Sequence, residues 1–266
     1  MYIDPFAVRS STRALAGGGE ILVITVDGRI GEASEEVTRT IADLISKAGA
    51  TSFLITTGDP ALQEVIKRWG GTVINTICYF HLRRDGTDHH LVMAEHKDIA
   101  TGELTMASYE SVPEALYEPV AALMTECMND ILREDSRERF AETAEGLERK
   151  MTRFKETGVQ MPLFLLFDRQ QEVVGLSFVL IKPHSAGAKQ ELTGIRRAYR
   201  GRKLAYFLKA LAVRETFSRY PHVAFMETNC YSVNKPIIHI NKVMGYTPTD
   251  SSLQFLVDME VSPGLF

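Results

Sequence analysis

Thr193 to Lys209 reads TGIRRAYRGRKLAYFLK, and the order of residue types along it decides the fold. A strand-like segment runs into a basic turn containing glycine, then directly into a helix-forming segment. A helix start exposes backbone N–H groups that no helical carbonyl satisfies, and the helix dipole adds partial positive charge there. Both favour a bound phosphate. Five of the eight residues from Arg196 to Lys203 are basic, in a chain of net charge −4. The turn is therefore expected to be an anion site. A solvated charge run is the plain alternative. A nucleic-acid patch fits less well, because aromatic residues do not interleave with basic ones elsewhere.

Downstream of this turn, the spacing predicts a helix over 202–220, a strand over 223–229, a helix over 235–244 and a last strand over 253–260. Upstream, strands are expected at 103–109, 161–167, 172–182 and 191–197, with helices over 112–132 and 137–157. The first 85 residues read as strand, helix, strand, helix, strand, starting from EILVITVD at Glu20. The polar run Arg83 to His90 (RRDGTDHH) separates them from the rest. Set side by side, the segments beginning at Ser52 and Ala224 share strand length, helix placement and a glycine stop before the last strand, which suggests an internal repeat. Packing alone also produces this order in many α/β chains.

At 266 residues with 45% hydrophobic content, the chain can bury a substantial core and is not disordered, collagenous or a coiled coil. A pI near 6.0 argues against non-specific nucleic-acid binding. No apolar run is long enough for a membrane span and no secretory signal is visible, so a cytoplasmic location is expected. Cys78, Cys127 and Cys230 are scattered, without metal-ligand or disulfide-framework spacing. Asp88-His89-His90 with His96 lacks a further ligand pattern, so no metal is expected.

The sequence resembles the Gcn5-related N-acetyltransferases, whose pyrophosphate loop reads R/Q-x-x-G-x-G/A. Arg200-Gly201-Arg202-Lys203-Leu204-Ala205 matches at Arg200 and Ala205, with Lys203 where the middle glycine is usual. Thr228 to Tyr246 is similar to the family's closing pattern T-x-N-xxx-N-x-P-xxx-I-N-xxx-G-F at Asn234, Pro236, Ile240, Asn241 and Gly245, with Cys230 in place of the first Asn. Met128-Asn129-Asp130 also looks like the family. The resemblance covers roughly residues 92–260. It implies an α/β fold with a mixed, mainly antiparallel sheet flanked by helices: a complete module over 86–266 after an incomplete one over 1–85. Gly28-Arg29-Ile30-Gly31-Glu32-Ala33 in the first module reads as a relic loop, since Asp27 and Glu32 would repel a polyanion.

The resemblance also implies acetyl-CoA-dependent acylation of an amine on a small molecule, with acetyl-CoA as co-substrate. Thr193, Gly194, Ile195 and Arg197 would bind its pantetheine arm and carbonyl. Arg200, Gly201, Arg202, Lys203, Leu204 and Ala205 would hold the pyrophosphate. Asn234 would lie against the arm or cap a helix, and Asn241 would border the same site. Many members carry a tyrosine at the Asn241 position as proton donor to the thiolate, so that acid is missing. Tyr231 is a substitute, and Tyr246 reads as core. Glu227 is the general-base candidate, on the expectation that burial raises its pKa. Cys230 is a nucleophile candidate without a recognisable triad. Transfer to a hydroxyl, transfer from a longer acyl-CoA, and a non-catalytic CoA-binding or scaffold role are the alternatives. No nucleic-acid or membrane partner is expected, and a homodimer is compatible with either module.

Overall fold

The computed structural model describes residues 6–14, 20–28, 34–86, 97–131 and 140–258. The relic loop at 29–33, the polar run from 87 onward with its histidines, and His96 lie outside these residues.

Among the described residues ten strands form one sheet. The N-terminal part contributes β1 (Phe6–Ala14), β2 (Glu20–Gly28), β3 (Ser52–Thr57) and β4 (Thr72–Arg83), with helices α1 (Ser34–Ala48) and α2 (Pro60–Arg68). Then follow the short α3 (Lys97–Ala100), β5 (Thr105–Tyr109), α4 (Tyr117–Asn129), α5 (Ala144–Thr157), β6 (Leu163–Phe167), β7 (Val173–Ile181) and β8 (Gly187–Ile195). α6 (Leu204–Arg219), β9 (Phe225–Tyr231), α7 (Lys235–Val243) and β10 (Thr247–Asp258) complete the chain. The sheet order is β1-β2-β3-β10-β4-β9-β8-β7-β6-β5. β2 with β3 and β8 with β9 are parallel, and the other neighbours are antiparallel.

The sheet is covered on both faces, as β6 shows. All five of its residues, LFLLF, are buried. Leu163, Leu165 and Phe167 pack with α4 and α5, while Phe164 and Leu166 pack with α6. Period-two geometry then makes a continuous apolar run obligatory. In the N-terminal part, Leu22, Ile24 and Val26 meet Val37, Ile41 and Ile45 of α1 and Leu62 and Ile66 of α2.

The two segments compared in the sequence build β3-α2-β4 and β9-α7-β10. Their helices start alike: Asp59 and Asn234 are N-caps, accepting from Leu62 N–H (2.9 Å) and Ile237 N–H (3.3 Å), each followed by a proline within two residues. The units are interleaved. β10 lies between β3 and β4, and β4 lies between β10 and β9. The sheet therefore runs unbroken across the polar run after β4.

Several boundaries differ from expectation. β1 lies in a stretch with no strand assignment from the sequence; it is an edge strand paired with β2 from Phe6 to Ala14. β8 begins at Gly187 and ends at Ile195, because the Thr193–Arg197 segment turns after Ile195 into a 3₁₀ turn at Arg197–Tyr199. β10 starts six residues early, at Thr247, and pairs with His81 and Phe80 through a bulge near Pro248.

Phe255 of β10 is fully buried among residues of both α1 and α2. Phe255→Ala is expected to lower stability by about 3–5 kcal/mol. Because β10 lies between β3 and β4, urea transitions followed by Trp69 fluorescence and by far-UV circular dichroism should shift together. Divergence of the two probes would show that the interleaved parts unfold separately.

Candidate functional site

Parallel pairing between β8 and β9 is limited to Gly187–Lys189 with Phe225–Glu227. Beyond it Gln190–Ile195 and Thr228–Tyr231 diverge, each still paired on its outer side, with β7 and β4. The fork is fixed at its apex. Gln190 sits there with its carbonyl accepting from Thr228 Oγ1 (2.9 Å), its Oε1 accepting from Tyr246 OH (2.9 Å) and its Nε2 donating to Lys209 O (3.3 Å). A register shift of β8 against β7 between Gln190 and Leu192 accompanies the separation.

Two cavities meet at this fork. The larger, about 1090 Å³, is lined by the end of β8, the start of α6 and one side of α7. The smaller, about 470 Å³, lies between the sheet and the α4–α5 pair, with a wall of Met124, Met128, Met151, Phe140, Phe154 and Phe178. Ile131, Thr193, Asn234 and Ile237 line both.

The loop entering α6 carries the geometry expected of an anion site. No side chain caps the N-terminus of α6, and Lys203, Leu204, Ala205 and Tyr206 line the large cavity. Gly201 and Lys203 both have left-handed backbones, at φ 79° and 62°. This explains why glycine is usual at the Lys203 position: an L-residue there bears a strain of roughly 1–2 kcal/mol. Gly194 is required for another reason. A Cβ on it would sit 2.6 Å from Cys127 Sγ, whose thiol donates to Ile195 O (3.7 Å).

The arginines behave differently from expectation. Arg200 pairs with Asp130 (2.6 Å) and donates from Nε to Ile195 O (2.8 Å). Arg197 pairs with Asp130, and its backbone N–H donates to Glu126 Oε1 (2.6 Å). Arg202 pairs with Asp98 of α3 (2.7 Å) and Glu103 (2.9 Å) and lies over the Tyr199 ring. These guanidiniums fasten the loop to α4 and to the segment before β5 instead of standing free for a ligand. Burial raises the Asp130 carboxyl, but hydrogen bonds from Arg197 and Arg200 outweigh it and hold its pKa below the usual value. Tyr199 OH donates to Asp168 (2.8 Å), tying the same loop to the β6–β7 hairpin. Among the described residues Arg196 and Lys203 are the loop cations without an ion-pair partner, and of the two Lys203 lines the large cavity.

Of the residues expected to bind a cofactor, the structure brings Thr193, Gly194, Ile195, Arg200, Gly201, Lys203, Leu204, Ala205 and Asn234 onto the large cavity. Arg197 and Arg202 line neither cavity. Asn241 is corrected as well: it is fully buried in α7, outside both cavities, with Oδ1 and Nδ2 unpartnered among the described residues. Glu227 was expected to be buried, but it is exposed and lines neither cavity. It alternates with the inward-facing Met226 and Thr228 and lies in register with His81 and Lys189. Cys230 borders the small cavity opposite Cys78 of β4, and burial pushes its thiol up to about 11. That is a poor nucleophile at neutral pH. Tyr231 lines the small cavity, and Tyr246 is core, its hydroxyl raised by burial.

Two groups of residues escaped the sequence reading. Glu126 of α4 and Asp130 at its C-terminal cap lie four apart, a spacing that places both carboxylates on one side of the helix end, ready for the arginine loop. Lys209 is the second: a cation within the apolar run Leu208 to Val213, 1% exposed and lining the small cavity.

Neither a protein-family model nor a curated protein sequence matches the chain. Solved structures do. A tandem Gcn5-related N-acetyltransferase protein from the clavulanic acid biosynthesis pathway, determined without acetyl-CoA, aligns at TM-score 0.66 and 18% identity over 95% of this chain and 83% of that one. A Gcn5-related N-acetyltransferase from Kribbella flavida aligns at 0.57 and 13% over 91% and 82%, and one from Sphaerobacter thermophilus at 0.57 and 11% over 95% and 76%. The chain thus has an α/β fold of the Gcn5-related N-acetyltransferase type. The tandem form of that fold fits it over 95% of its length. Among the described residues no helix is long and apolar enough to cross a membrane.

Asn241→Leu removes two buried polar atoms without partners at similar volume. Stability by urea denaturation is expected to rise by about 1–3 kcal/mol. A fall would show that the amide is held by a group essential to the fold.

Proposed function

We propose that the protein is an acyl-CoA-dependent acyltransferase that moves an acetyl group from acetyl-CoA to an amine of a small molecule by direct attack. The observation that carries this reading is the β8–β9 fork, where two cavities of different character join. One has an uncapped helix start and a cation at Lys203, suited to the phosphates of a long thioester. The other is walled by methionine and phenylalanine, suited to an acceptor with an apolar body. Parted strands leave inner-edge backbone groups between Gln190 and Ile195 and at 228–231 that can hydrogen-bond an extended pantetheine arm, as an added strand would; the carbonyls of Gln190 and Ile195 themselves are already engaged. The fold neighbours named N-acetyltransferases support the same class.

The chain's own residues would act as follows. The α6 start and Lys203 hold the pyrophosphate. The end of β8, kept close to α4 by the absent side chain of Gly194, shapes the passage for the thioester. Asn234 caps α7 and stands at the junction of the cavities, where it limits what crosses between them. The Met-rich wall excludes water from the reacting carbonyl, which strengthens any polar contact made there. A longer acyl chain is the second reading, favoured by the same apolar wall.

Titration calorimetry with acetyl-CoA, with NAD as control, tests the reading. Binding is expected to be salt-sensitive only to a small degree, since Arg197, Arg200 and Arg202 are already paired and Arg196 lines neither cavity. Lys203→Gly should weaken it roughly 5-fold, about 1 kcal/mol, and remove most of the salt dependence. No binding of acetyl-CoA by the wild-type protein would leave a scaffold role instead.

A further inference from the structure

Lys209 stands on the face of α6 that is turned to the sheet, at the level where β8 and β9 part. It is 1% exposed, lines the small cavity, and has its Nζ 5.1 Å from the centre of the Tyr246 ring. Among the described residues Nζ makes no hydrogen bond and no ion pair. An amine in the interior without a carboxylate is unfavourable for stability, and a methionine of the same reach would fill the position at no such disadvantage. Its place on the wall of the small cavity, beside the fork, points to chemistry.

Other titratable groups border the same cavity, and the charged ones among them are paired. On β8, Lys189 pairs with Glu191 (2.7 Å), and on α5, Lys150 pairs with Glu142. β9 offers the Cys230 thiol, and β4 the Cys78 thiol in register with it. Tyr231 of β9 lies on the cavity wall, and Tyr246 has its hydroxyl on Gln190. Burial pulls the Lys209 amine down to about 7, against a small opposing effect of Cys230. Glu227, the expected general base, is exposed and lines neither cavity, and Asn241 is a buried amide that carries no titratable proton.

We propose that Lys209 is the acid–base residue of the acyl transfer: Nζ takes a proton from the acceptor nitrogen as that nitrogen bonds to the thioester carbon, and returns it to sulfur as the carbon–sulfur bond breaks. This rests on the acyl-CoA reading above. One N–C bond forms and one C–S bond breaks, the products are an amide and a free thiol, and Nζ begins and ends as the free amine. A single group then performs both the base and the acid step.

The test uses the full chain, with Lys209→Met and Lys209→Arg. Lysine ¹³Cε resonances are titrated with and without acetyl-CoA. A resonance missing in both variants should titrate near neutral pH and shift its midpoint when acetyl-CoA is added. Coenzyme A release with 2-phenylethylamine is followed over about pH 5.5–9.5, and acetyl-CoA affinity is measured by calorimetry. Lys209→Met should bind acetyl-CoA within about 3-fold of wild type yet lose roughly 100-fold in kcat, together with the acidic limb of the profile. Its stability should also respond to pH differently. Between about 7 and 10.5 the unfolded chain holds a Lys209 proton that the folded one lacks, so wild-type stability climbs with pH relative to Lys209→Met. A Lys209 resonance in the ordinary lysine range and unmoved by bound acetyl-CoA overturns the proposal. So does an acetyl group found on Nζ by mass spectrometry, which makes the amine an acceptor. Failure of wild type to bind acetyl-CoA overturns the acyl-CoA reading and this inference with it, whereas binding with an unmoved resonance overturns this inference alone.

Discussion

Once the β8–β9 ladder stops after Lys189 and Glu227, everything that gives this protein a site follows from how the two strands are kept apart. Parted strands leave backbone N–H and C=O groups without partners, and in a closed core those groups would be costly. Here the divergence opens into cavities, and its apex is closed by side-chain hydrogen bonds. Gln190 is the pivot. It is 1% exposed, and its amide and carbonyl are shared among Thr228, Tyr246, Ser177 and the Lys209 carbonyl. A fully satisfied polar network of this kind fixes one geometry where apolar packing would allow several.

The fork is stiffened from outside by the interleaving of β4 and β10. β9 cannot swing toward β8 without dragging β4, which is itself bound to β10, which is bound in turn to β3. The N-terminal part thus serves as a backing for one arm of the fork. α4 does the same for the other arm through Glu126, Asp130 and Cys127. A site of fixed width between two braced arms suits a reaction in which the nucleophile and carbonyl must be held in close alignment.

Much of this was legible in the sequence for specific reasons. The β6 run LFLLF and the glycine-containing basic turn before α6 have strong local signatures, so the strand and the loop lay where periodicity and turn chemistry put them. β1, an edge strand with polar residues such as Arg9, Ser10, Ser11 and Thr12, has no such signature, because an edge is specified by its single neighbour. The site was less legible. Whether Glu227 is buried depends on which strand lies beside β9, a long-range fact that no local pattern carries. The partners of Arg197, Arg200 and Arg202 come from α3, α4 and the segment before β5, far away in sequence. Lys209 had a local signal, a lone cation in an apolar helix run, but position in a run does not say whether a lysine reaches solvent along its stem.

The charge pattern around the α6 loop bears on how an acidic protein would hold the polyanion that the proposed function requires. Arginines paired to Asp130, Asp98 and Glu103 contribute little net field, since each positive charge has a negative one within about 3 Å. What they supply is position: they pin the loop so that the uncapped start of α6 points into the cavity with its backbone donors fixed. A donor held by covalent geometry loses no side-chain entropy on binding, whereas a free arginine would. Lys203, strained into a left-handed backbone at the turn, adds the charge that the pinned guanidiniums no longer offer. On the acyl-CoA reading proposed above, the loop separates two tasks that a free basic cluster would mix, with Arg197, Arg200 and Arg202 for placement and helix backbone plus Lys203 for the ligand.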